Sequence, residues 1–228
     1  MTFRLQFSGA VVPIQIEHVY VAGFTGRNQK AVMEHIHELE AHGIPAPPYA
    51  PILYFATLDK FAQADVMQVV GGTTSGEVEP VLVIGDDGEI YLGVGSDHTD
   101  REAEKAGIPV AKQLCSKMVS EEVWPYREVK DRWDDLVIRS WTGKSGPEEL
   151  YQEGPLRLLL PPDEILALVR RTTGDVRNCV IFLGTVSLLK GQFDFSQYFR
   201  AELYDPQTGL ALRCSYRVER VDTSLIQP

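Results

Sequence analysis

Alternating apolar and polar residues predict that most of this chain forms β-strands. Residues 14–21, 66–70, 77–84 and 89–94 are short segments rich in β-branched side chains, which is typical of strands. The last two are separated by Gly-Asp-Asp-Gly at 85–88, a sequence that favours a tight hairpin turn. Further strands are predicted from later apolar segments at 135–141, 156–160, 179–184 and 199–219.

Helices are predicted in three places. Residues 29–42 repeat apolar positions at helical spacing, with Asn28 before them as a cap and Gly43 after them as a stop. A second helix is predicted at 163–171, after two prolines, and a short third one at 101–107. Because strands outnumber helices and several strands are neighbours in sequence, the fold class is predicted as mixed α+β, dominated by β-structure.

The composition limits the kinds of partner that the protein is expected to bind. The net charge of −10 argues against nucleic acid and against an anionic membrane surface, since both need clustered Lys and Arg. No apolar segment approaches the length of a membrane span and the N-terminus lacks the pattern of a signal peptide. Three widely spaced cysteines without a CxxC motif fit a reducing compartment. We therefore expect a cytoplasmic protein, with one domain over residues 1–228.

A pair of carboxylates gives the first indication of chemistry. Glu77 and Glu79 are two residues apart at the start of a strand, so their side chains project from the same face. The hairpin brings the end of the next strand back beside them, and with it Asp97. Three carboxylates repel one another unless a cation compensates them. Oxygen ligands suit Mg²⁺, Mn²⁺ or Ca²⁺ better than zinc, although spacing alone also allows a solvated acidic face.

The order of several short motifs resembles the fumarylacetoacetate hydrolase (FAH)-like superfamily. The motifs are GRN at 26–28, HIHE at 35–38, EVEPVLVIG at 77–85, DHTDR at 97–101, AKQL at 111–114, QEG at 152–154 and VIFLGT at 180–185. The resemblance implies an FAH-like β-sandwich roll with a few flanking helices. Residues 1–60 would form a small N-terminal strand-helix portion that acts as a lid. The resemblance also implies a homodimer.

The resemblance assigns roles to individual residues. It implies metal ligands at Glu77, Glu79 and Asp97, catalytic residues at His35, Glu38 and Lys112, and substrate-binding residues at Arg27, Gln152, Gly184 and Thr185. In this scheme Glu38 orients His35 as the general base, because residues three apart share a helix side. His98 is a rival for the base, and Lys117 is a weaker competitor of Lys112.

The implied activity is that of a divalent-metal-dependent hydrolase. Mg²⁺ or Mn²⁺, with Ca²⁺ as a further candidate, would stabilise the enolate formed when a C–C bond of a small anionic 2-oxo acid, acylpyruvate or related acyl compound breaks. The alternatives are a decarboxylase, isomerase or hydratase on the same metal site, or a non-catalytic module that holds a metal and a dicarboxylate. Asp100, Glu102 and Pro80 depart from the family pattern. Pro80 suggests that its strand is bulged or lies at a sheet edge.

Overall fold

The computed structural model of the protein describes residues 2–7, 9–41, 43, 45–146 and 148–221. Two residues singled out by the sequence lie outside this set. They are His42, the predicted last residue of the first helix, and Ile44, the first residue of the proline-rich segment that follows it.

Strands dominate the described residues. The first nine are β1 (Thr2–Phe7), β2 (Ala10–Gln15), β3 (His18–Gly23), β4 (Ile52–Ala56), β5 (Phe61–Ala62), β6 (Val66–Val69), β7 (Thr74–Ser75), β8 (Val78–Ile84) and β9 (Ile90–Asp97). The others are β10 (Thr99–Asp100), β11 (Lys117–Val119), β12 (Trp124–Pro125), β13 (Val137–Gly143), β14 (Glu149–Pro155), β15 (Cys179–Phe182), β16 (Tyr198–Tyr204) and β17 (Ala211–Arg220).

Helices occupy a smaller share of the described residues. The α-helices are α1 (Gln29–Ala41), α2 (Ile108–Leu114), α3 (Tyr126–Val129) and α4 (Pro162–Thr173). Short 3₁₀ helices lie at Leu58–Lys60, Ala103–Lys105, Lys130–Asp135 and Leu156–Leu158. The predicted α+β class with dominant β-structure is confirmed.

Two large sheets organise the fold. The larger has the order β4-β3-β15-β8-β9-β11-β5, with β12 also paired to β9, and the smaller has the order β14-β13-β16-β17-β6. One hydrophobic core joins the sheets, and it contains Leu82 and Leu92 from the larger sheet and Leu203 from the smaller. Val81 and Val83 of β8 instead face a second core under the β1–β2 hairpin. Strand β8 is therefore buried on both faces, which explains its continuous apolar run.

The predicted hairpin is confirmed, and two other local predictions are wrong. Strands β8 and β9 pair antiparallel, and the Gly88 N–H donates to the Gly85 carbonyl in the turn between them. The segment predicted as a helix at 101–107 contains only the 3₁₀ turn at 103–105 before Gly107, whose φ is +142°; a helix follows it instead. The predicted strand at 156–160 is a 3₁₀ turn between Pro155 and Pro161, two residues with a fixed φ.

The prediction that Pro80 marks an edge or a bulge is wrong. Strand β8 lies inside the larger sheet between β15 and β9, and its register with β9 is regular. Pro80 faces Leu183, one residue beyond the end of β15, and its carbonyl accepts a hydrogen bond from the Leu183 N–H at 3.1 Å. The Leu183 carbonyl accepts instead from the Thr25 hydroxyl at 2.8 Å. The proline is tolerated because this side chain replaces the missing backbone donor.

Candidate metal centre

The β8–β9 hairpin places the three predicted metal ligands together. Glu77 precedes β8, Glu79 lies within it and Asp97 ends β9, where its N–H donates to the Glu77 carbonyl at 3.0 Å. One oxygen from each of the three carboxylates lies within 4.8 Å of the others. Glu79 is only 2% exposed and Asp97 is fully buried. The spacing argument thus describes their arrangement correctly, while binding of a metal ion by them stays a prediction.

Burial and mutual repulsion make this cluster electrostatically strained. Burial raises the pKa of Glu79 well above its ordinary value, and the charges of Asp97 and Glu77 raise it further against the opposing effect of Lys112. Burial alone would also raise the pKa of Asp97. Contacts with Lys112 and Lys117 outweigh this effect and hold the pKa of Asp97 far below its ordinary value.

Three basic side chains surround the carboxylates. Lys112 Nζ donates to Asp97 and lies 3.9 Å from Glu77 Oε2, and Lys117 Nζ lies 2.7 Å from Asp97 Oδ1. Arg101 Nη2 lies 3.3 Å from Glu77 Oε1, and Arg101 Nη1 lies 3.2 Å from Glu104. Four carboxylates, counting Glu104, thus face three cations, which leaves one formal negative charge.

The residues present fit a divalent cation. The donor set consists of three carboxylates with no nitrogen or sulfur ligand, as hard oxygen-preferring cations require. The three oxygens are close enough to share one ion, and the uncompensated negative charge of the cluster would favour it. Glu77, Glu79 and Asp97 would hold the cation, with Lys112 at its side.

A buried hydrogen-bond chain ties the hairpin to the smaller sheet. The Tyr216 hydroxyl on β17 donates to Ser96 Oγ at 2.8 Å and also contacts His98 Nδ1 at 2.8 Å. Ser96 Oγ in turn accepts from the Glu77 N–H at 3.3 Å. Burial, with the charges of Lys117 and Arg101, lowers the pKa of His98 to about 3, so this histidine is neutral near pH 7. Among the described residues, its Nε2 has no hydrogen-bond partner.

Gln152 and Thr185 secure the start of β8. Gln152 Oε1 accepts from the Val78 N–H and from Ser140 Oγ, each at 3.0 Å. Gln152 Nε2 donates to Thr185 Oγ1 at 2.8 Å and to the Val186 carbonyl at 2.7 Å. Thr185 Oγ1 donates to the Val78 carbonyl at 2.7 Å. Both ends of the Gln152 amide are therefore engaged with the protein, and its role toward a substrate stays a prediction.

Gly184 contacts the cluster through its backbone. Its N–H donates to Glu79 Oε2 at 2.7 Å. The φ of Gly184 is +96°, and a Cβ at this position would overlap with the Thr25 hydroxyl. Glycine is therefore required here for two independent reasons, conformation and space.

The other predicted residues lie on and before α1. Arg27 forms a bidentate pair with Asp134 at 2.7 and 2.9 Å, and its Nε donates to the Leu159 carbonyl at 3.1 Å. His35 Nδ1 lies 3.6 Å from Glu38 Oε2, and the two side chains are 60% and 73% exposed. Within the described residues, no hydrogen bond or ion pair joins Arg27, His35 or Glu38 to the carboxylate cluster. Their roles as base and substrate ligand stay predictions.

Lys117, the weaker competitor of Lys112 in the sequence, contacts Asp97 just as Lys112 does, and the role of each lysine stays a prediction. Lys117 is fully buried, its ammonium contacts Asp97 and it donates to the His98 carbonyl at 2.6 Å. Strand β11 pairs with β9 so that Lys117 stands opposite Asp97. The sequence signal for this contact is the short strand that begins at Lys117. The contribution of Tyr216, over a hundred residues away in sequence, left no such local signal.

The chain has the fumarylacetoacetate hydrolase-like fold that the motifs implied. The chain is similar to 2-keto-3-deoxy-D-arabinonate dehydratase complexed with magnesium and 2,5-dioxopentanoate, with a TM-score of 0.64 and 14% identity over 95% of this chain and 78% of that one. It is similar to Cg1458, with a TM-score of 0.67 and 14% identity over 95% and 84%. It is also similar to 4-oxalocrotonate decarboxylase from Pseudomonas putida G7, complexed with calcium and acetate, with a TM-score of 0.57 and 12% identity over 88% and 76%.

A family match completes the identification. Residues 22–216 match the family described as protein of unknown function (DUF2848), and the chain belongs to this family. A comparison with curated proteins gave no match. Within the described residues, every helix is too short or too polar to cross a membrane.

Proposed function

We propose that this protein is a divalent-metal-dependent enzyme that acts on a small anionic 2-oxo acid. The observation that carries the proposal is the buried cluster of Glu77, Glu79 and Asp97 with Lys112 beside it. Two proteins of the same fold are described in complexes with magnesium and 2,5-dioxopentanoate or with calcium and acetate. Mg²⁺ is therefore the first cation to test, followed by Ca²⁺ and Mn²⁺.

The charges of the site support an anionic substrate. When bound, a divalent cation supplies positive charge that stabilises a developing enolate oxygen. It would change the formal charge of the cluster from −1 to +1, which favours a ligand that carries one negative charge. Lys112, next to Asp97 and Glu77, is the first candidate to donate to an oxygen of that ligand. Thr185, which is partly exposed, is the second candidate, but its one hydroxyl proton is donated to the Val78 carbonyl, so it would donate to the ligand only by releasing that carbonyl.

Hydrolysis of a C–C bond needs a base that activates water. His35, oriented by Glu38, is our candidate for this base, and the exposed position of the pair on α1 leaves its ring accessible. Within the described residues, no hydrogen bond or ion pair joins this pair to the carboxylates. Decarboxylation does not need a water-activating base, so a lyase is the second candidate function. The names of two structural neighbours, a dehydratase and a decarboxylase, support the same alternative.

A substrate panel tests the proposal. Chelator-treated protein would be assayed with acylpyruvates, oxaloacetate and 2-oxo-pentenoates, with and without Mg²⁺, and the products identified. We expect turnover that depends on Mg²⁺ and falls at least ~100-fold in Glu79→Ala, which removes a ligand. Loss of activity in His35→Ala, with activity retained in the control His37→Ala on the other side of the helix, would favour hydrolysis. Equal activity in both variants would favour the lyase.

Two other results would change the conclusion. Stabilisation of the fold by Mg²⁺ and oxalate without turnover of any substrate would favour a non-catalytic binding module. If neither Mg²⁺ nor oxalate shifts the melting temperature, and Glu77→Ala and Glu79→Ala leave it unchanged, the prediction of a metal site is wrong.

The expected homodimer is tested separately by light scattering, where a mass of one chain would contradict it. The cytoplasmic location also stays a prediction.

A further inference from the structure

We propose that Thr25 is a positioning residue for Glu79, and that it acts through the single peptide group between Leu183 and Gly184. The proposal rests on the proposed function, because it assumes that Glu79 binds a divalent cation. It concerns a residue outside the carboxylate cluster, in the segment that leads into α1.

The two hydrogen bonds belong to one rigid unit. The Thr25 hydroxyl donates to the Leu183 carbonyl at 2.8 Å, and the Gly184 N–H of the same peptide group donates to Glu79 Oε2 at 2.7 Å. A peptide group is planar, with its C=O and N–H pointing in opposite directions. Fixing the carbonyl therefore fixes the direction of the N–H. A bond accepted by the carbonyl also polarises the group and strengthens the bond that its N–H donates.

The burial and the space around these two hydrogen bonds favour both of them. Thr25, Leu183 and Glu79 are all buried, so an unmade hydrogen bond here would have no water to replace it. Gly184 leaves the space that the Thr25 hydroxyl occupies, since a Cβ on Gly184 would overlap with that hydroxyl. The positive φ of Gly184 turns the chain two residues beyond the end of β15, while its N–H donates to Glu79.

Pro80 keeps the Leu183 carbonyl available. The Leu183 N–H donates to the Pro80 carbonyl, and in such an antiparallel pair the N–H of residue 80 would face the Leu183 carbonyl in return. Proline has no N–H, so the carbonyl accepts from Thr25 instead. The same proline that departs from the family pattern is thus the reason that Thr25 can reach the peptide group.

The test is the dissociation constant of Mg²⁺, measured by calorimetric titration of the metal-free protein and its variants. Thr25→Val keeps the shape of the side chain and removes the hydroxyl, and we expect the constant to rise about tenfold, as for other residues that orient a metal ligand. Thr25→Ser retains the hydroxyl, and its constant should stay near that of the wild type. In the double variant Thr25→Val, Pro80→Ala, residue 80 regains an N–H, so the loss should be smaller than in Thr25→Val.

The matched control is Thr172→Val, because the Thr172 hydroxyl also donates to a backbone carbonyl, that of Leu168, at 2.9 Å. This variant should leave the Mg²⁺ constant unchanged. An unchanged constant in Thr25→Val, even with lower thermal stability, would overturn the positioning role. So would a loss in Thr25→Ser as large as in Thr25→Val, or a double variant no better than Thr25→Val. A wild-type protein that binds no Mg²⁺, Ca²⁺ or Mn²⁺ would instead overturn the proposed function itself.

Discussion

Replacing Glu79 with glutamine should stabilise the metal-free protein, although it removes a predicted metal ligand. Glu79 is buried beside Glu77 and Asp97, and burial with those two charges raises its pKa. Glutamine has nearly the same shape and can still accept the hydrogen bond that Gly184 donates at 2.7 Å. The substitution therefore removes mainly the electrostatic strain.

The size of the effect follows from the distances. Two unit charges whose atoms lie within 4.8 Å of each other repel by at least about 3.5 kcal/mol at an effective dielectric constant of about 20. Glu79 has two such neighbours, and attraction by Lys112 offsets roughly one of the two repulsions. The net effect is therefore about 3–4 kcal/mol, or roughly 7–14 °C in melting temperature for a chain of this size.

Thermal unfolding, first in chelator and then in increasing Mg²⁺, measures two quantities. They are the stabilisation of the metal-free variant and the stabilisation that each protein gains from the ion. In chelator, Glu79→Gln should melt above the wild type. At a Mg²⁺ concentration about 100 times the dissociation constant, the wild type should gain about 2.7 kcal/mol and the variant much less, so that the gap narrows. Glu17→Gln, an exposed change of the same kind, should stay within about 0.5 kcal/mol of the wild type. A variant that melts at or below the wild type in chelator would refute the reasoning.

Three further predictions concern neighbouring interactions. Tyr216→Phe should raise the Mg²⁺ dissociation constant about tenfold, measured by titration, because the Tyr216 hydroxyl holds Ser96 on the hairpin; an unchanged constant would contradict this. Lys117→Met should lower the free energy of unfolding in urea by about 3 kcal/mol, since Lys117 is fully buried against Asp97; unchanged stability would contradict it. For Asp205, burial alone would raise the pKa, but hydrogen bonds, one of them from Arg132, outweigh it and lower the pKa. The advantage of the wild type over Asp205→Asn, about 2 kcal/mol, should therefore be present in urea unfolding at pH 7 and disappear as the pH falls below about 3.9; a constant difference would contradict it.

The sequence allowed the carboxylate cluster to be predicted because the cluster is local. Glu77 and Glu79 share a face through the two-residue period of a strand, and Asp97 returns to them through a hairpin with a strong turn signal. The alternation that defines these strands needs no knowledge of distant elements. The same is true of α1 and its Asn28 cap, which the structure shows accepting a hydrogen bond from the Ala31 N–H at 3.3 Å.

The remaining parts of the site depend on tertiary register. The contact of Lys117 with Asp97 follows from the pairing of β11 with β9, and the helix α2 between them was not predicted at its actual position. Tyr216 reaches the hairpin from another sheet, and sheet-to-sheet packing leaves no periodic signal in a single sequence. Pro80 was misread for a related reason, because the donor that replaces its N–H comes from Thr25, more than fifty residues earlier.

The locality of the hairpin has a consequence for the order of folding. All three carboxylates lie between residues 77 and 97, and hairpins close in about 1–10 µs. Gln152 of β14, Gly184 beyond β15 and Tyr216 of β17 come later in the chain and contact the hairpin over much longer sequence separations, so they join it more slowly. The carboxylates therefore meet before the groups that orient them arrive. Mg²⁺ present during refolding should relieve their repulsion at that stage and increase the refolding rate, which stopped-flow fluorescence with and without the ion would detect. A cation held by these carboxylates would thus act in the kinetics of assembly as well as in the finished site.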